Sequence, residues 1–443
     1  MLAARYTQGS IAKHLVTMTS STAVGLLTIF LSELADIYFV GLIGEVEIAA
    51  LGFAGPIIFF SLSLNIGLSI ASSALVAIHL GLGNSTSSRE TVTHSLVSGL
   101  TISLILALTL WFYLPTLLSL MGATGRVLEL ANTYTSIVIV GMPPLAVAMS
   151  MGSIMRAKGG AKNSMLIYIV AGLSNIILDP ILIFGLDLGV TGAALATLIS
   201  RIIMLITAYH IIVNRDGLLG AFDFCRYQQQ LSSYAKIAFP AILTNLSTPL
   251  SMAYVTYAMA QFGDSAVAGV AIINKIQPVA FVGLFALSSV VGPIAGQNFG
   301  AKKFNRVSKT LVESIRFTLV YCVIVSAILW LSRRWFVPLF GGSEAANELV
   351  YLFCSGLSLI FIFNGITFVT NALFNNIGVA YYATIINLLK ATVGTIPFVT
   401  VGANIAGVEG VLWGLFAGSV FIAVIGLAFA LRLVFKFQTK TTT

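Results

Sequence analysis

Charge is scarce in this chain of 443 residues: Asp, Glu, Lys and Arg make up 9% of it, while 58% is hydrophobic. A soluble domain carries about 25% charge, so a surface this poor in it could not be kept in water, and the mean hydropathy of +1.00 places the chain in a membrane. Long polar stretches are missing too. Without one there is no room for a separate soluble domain, which excludes an ATPase module and leaves an ion gradient, or the substrate itself, as the energy source. Cysteine is limited to Cys225, Cys322 and Cys354, too scattered for a disulfide framework or a metal spacing. The four histidines (His14, His79, His94, His210) fall near the expected inner ends of helices, and no Ser–His–Asp or Cys–His constellation forms. The chain is therefore not read as an enzyme. Its Gly-rich runs follow no phosphate-binding strand, so no nucleotide site or other cofactor is expected.

What is present is one apolar run after another. At roughly 20 apolar residues per span, the length allows about twelve helices. Windows bounded by charge, Gly and Pro predict spans near 12–42, 49–80, 92–116, 127–156, 163–184 and 189–213, then near 233–262, 267–297, 307–332, 346–374, 380–401 and 406–435. The polar start, MLAARYTQGSIAKH, leads into an apolar run that passes Val40 without a small-residue cleavage site, the pattern of a first span and not of a signal peptide. Gly141-Met-Pro-Pro144 predicts a bend in the fourth span. The expected class is an all-α polytopic membrane protein, with twelve transmembrane helices in two pseudo-symmetric six-helix bundles around a central cavity. Its N-terminal lobe is 1–214, its cytoplasmic linker and hinge 215–232, and its C-terminal lobe 233–443.

The net charge of +8 is placed on one side. Sixteen basic residues, from Arg5 and Lys13 through Arg156, Lys158 and Lys302 to Lys436 and Lys440, fall in the expected inner loops and tails, against Arg126, Arg333 and Arg334 outside. The excess of inner cations predicts cytoplasmic termini and argues against nucleic acid as the partner of the basic charge. An internal repeat at an offset of 218–219 residues organises the rest. Gly44-Glu45 through Ala49 and Leu51 recurs as Gly263-Asp264 through Ala268 and Val270, and Leu188-Gly-Val-Thr-Gly192 recurs as Ala406-Gly-Val-Glu-Gly410.

Ionisable groups inside a span are expensive, by about 2.5–3.5 kcal/mol on insertion scales, and so point to function. Glu33, Asp36 and Asp179 qualify. Asp36 and Asp179 stand at matching depth in the outer halves of the first and fifth spans; Asn175 lies one turn before Asp179 on the same face, and Thr197 reaches a comparable level. Their repeat counterparts are Val255, Gly394, Phe398 and Leu415, so the polar cluster belongs to one lobe only. Two close carboxylates suit a proton carrier, and the same oxygens suit sodium. The bland alternative is structural: Asp179 capping the helix end at Pro180 and Asp36 bonded to Asn175. Glu33, Met151 and Met155 are candidates for a substrate cavity, since soft methionines (Met142 and Met149 with them) adapt to varied ligands, although packing among helices explains them as well. Snorkelling explains Lys275 as well as function does, Lys390 is a mid-helix candidate for the cavity, and Arg201 and Arg316 are assigned no role.

The run Asp36-Ile-Tyr-Phe-Val-Gly-Leu-Ile-Gly with Ala49-Ala-Leu-Gly-Phe, the run Met155-Arg-Ala-Lys-Gly-Gly-Ala-Lys-Asn, the run Asn175-Ile-Ile-Leu-Asp-Pro180 and the later Gly296-Gln-Asn-Phe-Gly-Ala resemble the multidrug and toxic compound extrusion (MATE) transporters over essentially the whole chain. The resemblance implies a twelve-helix, two-lobed antiporter that exchanges cations for organic, often cationic, compounds. Acids confined to the first lobe resemble the DinF-like branch, which implies a coupling cation, H+ or Na+, at Asp36, Asn175, Asp179 and Thr197, with the backbone near Ala193 as a further ligand. One departure stands out: the family often has Pro in the first half of the first span, where this chain has Met18-Thr-Ser-Ser21, which puts in doubt models that bend the helix there. The expectation is a proton-coupled exporter in the bacterial inner membrane, acting as a monomer on small amphipathic or cationic drugs among membrane lipids. A sodium-coupled exporter and a flippase for lipids or lipid-linked precursors are the alternatives.

Overall fold

In a bilayer every backbone N–H and C=O must be satisfied within the chain, and a helix does this locally. The computed structural model describes residues 4–83, 85–340 and 343–439, and among them every regular element is helical. In chain order they are α1 (Ile11–Gly41), α2 (Glu45–Gly81), α3 (Ser85–Leu120), α4 (Gly125–Val140), α5 (Met142–Lys158), α6 (Ala161–Pro180), α7 (Gly189–Tyr209), α8 (Phe224–Ala260), α9 (Asp264–Ala280), α10 (Val282–Gly300), α11 (Phe304–Phe336), α12 (Glu344–Ser355), α13 (Ile360–Asn376), α14 (Ala380–Ala391) and α15 (Ile396–Thr439). Lys440, counted above with the inner cations, lies outside the described residues.

Among the described residues nine helices are individually long and apolar enough to cross a membrane, ten with the bent pair α4–α5 taken as one span. The twelve-span reading adds two passes for physical reasons. Helix α8 has the length but carries Thr244, Asn245, Ser247 and Thr248 within it. The stretch Ala380–Thr439 covers 60 residues, about 90 Å of helix or three times the hydrocarbon thickness, and it doubles back. Its break is at Ala406 and Gly407, and Gly407 has φ 59°, a left-handed value that favours glycine. The expected bend at Met142-Pro-Pro is present: α4 and α5 meet at 44°.

The arms on either side of Gly407 approach closely enough that a Cβ on Gly410 would collide with the Gly402 carbonyl, and one on Gly418 with that of Gly394. Small residues permit such helix contacts in membranes. Gly410→Val is therefore expected to destabilise the protein by about 1–3 kcal/mol through overpacking, seen as a lower midpoint when detergent-solubilised protein is heated and passed over a sizing column. Gly52→Ala is the control, because nothing lies within 4 Å of that position; equal midpoints for the two variants would contradict the account.

The chain forms two compact units, one built mainly from Ser21–Asn245 and the other from Tyr6–Ser20 and the chain from Leu246 onward. These boundaries differ from the expected lobes, because α1 and α8 are each continuous helices that change unit part-way along. The expected linker also differs: residues 224–232 already belong to α8, and residues 216–223 are fastened to the first unit and are no free hinge. Lys158 pairs with Asp216 at 3.1 Å, the Gly220 carbonyl accepts from the Thr93 hydroxyl at 3.0 Å, and Arg226 pairs with Glu90. In the second unit, the Gln297 and Asn298 side chains of the Gly-Gln-Asn-Phe-Gly run hold the N-terminal segment: Tyr6 N donates to Gln297 Oε1 at 2.9 Å, and Asn298 Nδ2 donates to the Tyr6 carbonyl at 3.1 Å. Arg306 donates to that same carbonyl at 2.8 Å.

Candidate functional site

Two glycines bring the acidic helices together. At Gly172 of α6 a Cβ would stand 2.9 Å from the Thr28 carbonyl of α1, and at Gly25 of α1 it would stand 3.3 Å from the Met165 backbone. Side chains one to two turns further along therefore face each other across a narrow seam. There the Ser32 hydroxyl donates to Asn175 Oδ1 at 2.6 Å, and Asn175 Nδ2 donates to Asp179 Oδ1 at 3.2 Å. From α4, the Tyr134 hydroxyl donates to Asp36 Oδ2 at 3.0 Å. Asp36 and Asp179 lie within electrostatic reach of one another. Asp179 is fully buried, and Asn175 nearly so.

Each carboxylate thus has one oxygen engaged. The other, Asp36 Oδ1 and Asp179 Oδ2, is buried without a hydrogen-bond partner among the described residues. A buried acceptor left in this way is costly, and a proton or a hard cation relieves the cost. Neither acid forms an ion pair among the described residues; those found there join Arg126 to Glu129, Lys158 to Asp216, and Arg226 to Glu90 and Asp223. The bland arrangement, Asp36 bonded to Asn175, is not what the structure has: the amide serves Ser32 and Asp179 instead.

Helix α7 completes the site. Ala193, Thr197 and Arg201 recur at intervals of four and share one face. Ala193 is buried in the cluster that contains Tyr134 and Val138, and Arg201 lies within electrostatic reach of Tyr134, Glu33 and Asp36. Arg201 Nη1 donates at 2.7 Å to the Val138 carbonyl in the last turn of α4, which also accepts from the Gly141 N–H at 3.1 Å. Thr197 lies on this face and is half-buried, but no hydrogen bond joins its hydroxyl to the acids among the described residues.

Of the remaining expected positions, Glu33 stays beside the cluster and the two methionines do not. Glu33 is exposed on α1, a turn before Asp36. Met151 and Met155, expected near a substrate cavity, are instead core residues: both are buried among Val76, Ile154, Ile167 and Met204, because α5 is enclosed by its neighbours within the unit. Arg156 of the Met-Arg-Ala-Lys-Gly-Gly run is structural as well. It donates to the Ser164 hydroxyl at 2.7 Å across the α5–α6 turn, where Gly159 has φ 99°. No group of three or more His, Cys, Asp or Glu side chains able to hold a metal occurs among the described residues. The cavity of about 470 Å3 lined by Phe398, Val401, Ile405 and Trp413 lies in the second unit, is apolar, and contains no titratable group.

Three residues of the cluster were not singled out from the sequence. Ser32 stands four residues before Asp36, a spacing that could have found it. Tyr134 lies in the polar Asn-Thr-Tyr-Thr-Ser patch of α4, and Arg201 was an intramembrane charge without an assigned role.

A multi-pass helical chain with an acid–amide cluster buried in one unit is built as a membrane transporter. Residues 22–181 and 240–401 match the MatE family, and the chain belongs to that family of transporters. The two matched segments begin at residues 22 and 240, 218 apart, the spacing of the internal repeat. The chain is 29% identical over 413 residues to the FAD transporter of Shewanella oneidensis, covering 91% of both proteins. It is 26% identical over 397 residues to the multidrug export protein MepA of Staphylococcus aureus, covering 88% of this chain and 87% of that one. Among solved structures, the Vibrio cholerae MATE transporter VcmN in its bent form superposes with a TM-score of 0.91 at 25% identity, over 97% of this chain and 98% of that one.

Proposed function

We propose that this protein is a cation-coupled antiporter that exports small amphipathic organic compounds by alternating access. The coupling ion is the proton, with sodium as the alternative use of the same oxygens, and Asp36, Asn175 and Asp179 are the coupling residues, with Thr197 and the Ala193 backbone beside them. The observation that carries this is the pair of carboxylates, each holding one hydrogen bond and one unpartnered buried oxygen. Such an oxygen gains a bond when protonated or when a cation arrives and loses it when the cation leaves, which is the change a coupled cycle needs. The relatives named as a multidrug export protein and a FAD transporter support small organic compounds as cargo. The lack of the polar cluster at the repeat positions of the second unit, Val255, Gly394, Phe398 and Leu415, supports the DinF-like branch, and the inner basic excess supports an inner-membrane chain with both termini in the cytoplasm.

The test is transport of the fluorescent cation ethidium into the lumen of everted vesicles, which is the export direction, under an imposed pH gradient or an imposed sodium gradient. Export driven by pH alone is expected. Export driven by sodium alone would recast the four residues as a sodium site. Export by neither, with competition by lipid precursors only, would replace the antiporter by the flippase.

A further inference from the structure

The second unit has no counterpart to the acids at the repeat positions, but it has a half-buried cation that the coupling cycle does not use. Lys390 stands in the last turn of α14, where the carbonyl end of the helix favours positive charge. Its Nζ donates to Asn364 Oδ1 of α13 at 2.7 Å. No ion pair reaches it among the described residues. A lysine ammonium has three donors and no acceptor, so two N–H groups remain. Asn364 has engaged its carbonyl oxygen with the lysine, and its amide N–H groups have no partner among the described residues. The pair is therefore a donor-only array, and both side chains keep some exposure.

One turn along the same face of α13 is Phe368. Its ring lies 5.3 Å from that of Phe285 on α10, tilted by 36°, and both rings are also part-exposed. A donor-only array selects a group that only accepts, a carboxylate or a phosphate, and an adjoining pair of rings offers a face for a flat apolar body. At the corresponding repeat positions the first unit has no basic residue: Ala171 and Gly172 stand where Lys390 does.

We propose that Lys390 and Asn364, with Phe368 and Phe285 beside them, form a subsite in the second unit for an aromatic anion, the anionic group on the Lys390–Asn364 donors and the ring system on the phenylalanines. This assignment deepens the exporter function proposed above and rests on it for its biological role, though not for its binding test. Such a ligand differs from the cationic compounds expected from the sequence, and it places anionic or zwitterionic aromatics among the cargo.

Riboflavin and flavin mononucleotide share one ring system and differ by a phosphate, so they read the donor array directly. Binding is measured on full-length protein in nanodiscs by the quenching of flavin fluorescence. Wild type is expected to bind the mononucleotide about tenfold more tightly than riboflavin, the scale of a charge-assisted hydrogen bond out of bulk water. Lys390→Gln removes that preference, Lys390→Arg keeps most of it, and Phe368→Leu weakens both flavins by similar factors. Should Lys390→Gln not fold, Asn364→Asp serves in its place, since it replaces the amide donors with a carboxylate that neutralises the lysine, and it too removes the preference. A wild type that does not prefer the mononucleotide, or a folded Lys390→Gln that keeps the preference, overturns the subsite. Ethidium efflux separates the two claims: efflux intact without flavin discrimination removes the subsite alone, and discrimination without gradient-driven efflux removes the exporter function alone.

Discussion

Asp36→Asn and Asp179→Asn are each expected to reduce gradient-driven ethidium efflux to the level of vesicles without the protein, while the protein still folds. The amide is nearly the same size as the carboxylate, and its oxygen can still accept the existing bond, from Tyr134 at position 36 and from Asn175 at position 179. What is lost is the ability to take up and release a proton, or to present a charged oxygen to sodium. Yield and monodispersity on a sizing column check the fold, and vesicle efflux checks the function. Either variant pumping at the wild-type rate with unchanged dependence on the gradient would remove that residue from the coupling role. Tyr134→Phe tests the same bond from its other side. It deletes one hydrogen bond to Asp36 and leaves the carboxylate titratable, so efflux is expected to fall by about tenfold and not to vanish.

Arg201→Met is expected to produce the second large effect, on stability first. Arg201 is the cation within reach of Glu33 and Asp36, and it also supplies a donor to the Val138 carbonyl at the bend between α4 and α5. Methionine retains the apolar stem and removes both contributions. A charged hydrogen bond lost at a half-buried site costs about 1.5–3 kcal/mol. The variant should therefore melt at a lower temperature in detergent. Combining it with Glu33→Gln, which removes one of the charges left uncompensated, should restore part of the loss, because groups that interact give non-additive cycles. Strict additivity of the two substitutions would show that Arg201 acts through the Val138 carbonyl alone.

Much of this architecture could be read from the residues. Apolar runs placed the helices of the first unit to within several residues, and Met142-Pro-Pro located the bend, because backbone satisfaction in lipid and the ring of proline are local effects. The start of α8 could not be placed this way. Residues 224–232 include Arg226 and three glutamines, read as a polar linker, yet they are helical, held by Glu90 and by the bonds of the preceding segment to α3. The depth argument set Asp36 and Asp179 at one level; in the structure Gly172 and Gly25 let α1 and α6 touch, and the two acids lie within electrostatic reach of one another. It could not assign partners: the preference of Asn175 for Ser32 and Asp179, and of Asp36 for Tyr134, depends on how α1, α4 and α6 are rotated about their axes, and Asp-rich spacing does not encode that. Methionine illustrates the opposite limit. Met151 and Met155 have the chemistry of an adaptable cavity wall, but composition cannot tell such a wall from a core, and the neighbours of α5 make them core.

The claim that Asp36 and Asp179 hold the coupling cation is tested most directly by asking whether cargo displaces that cation. Ethidium is added to purified protein in weakly buffered detergent solution. A pH-indicating dye reports protons and an ion-selective electrode reports sodium, for wild type and for the Asp36→Asn, Asp179→Asn double variant. Wild type is expected to release protons on binding ethidium and the double variant to release none. Equal release from both proteins would contradict the account, because the displaced cation would then come from somewhere other than this pair of acids.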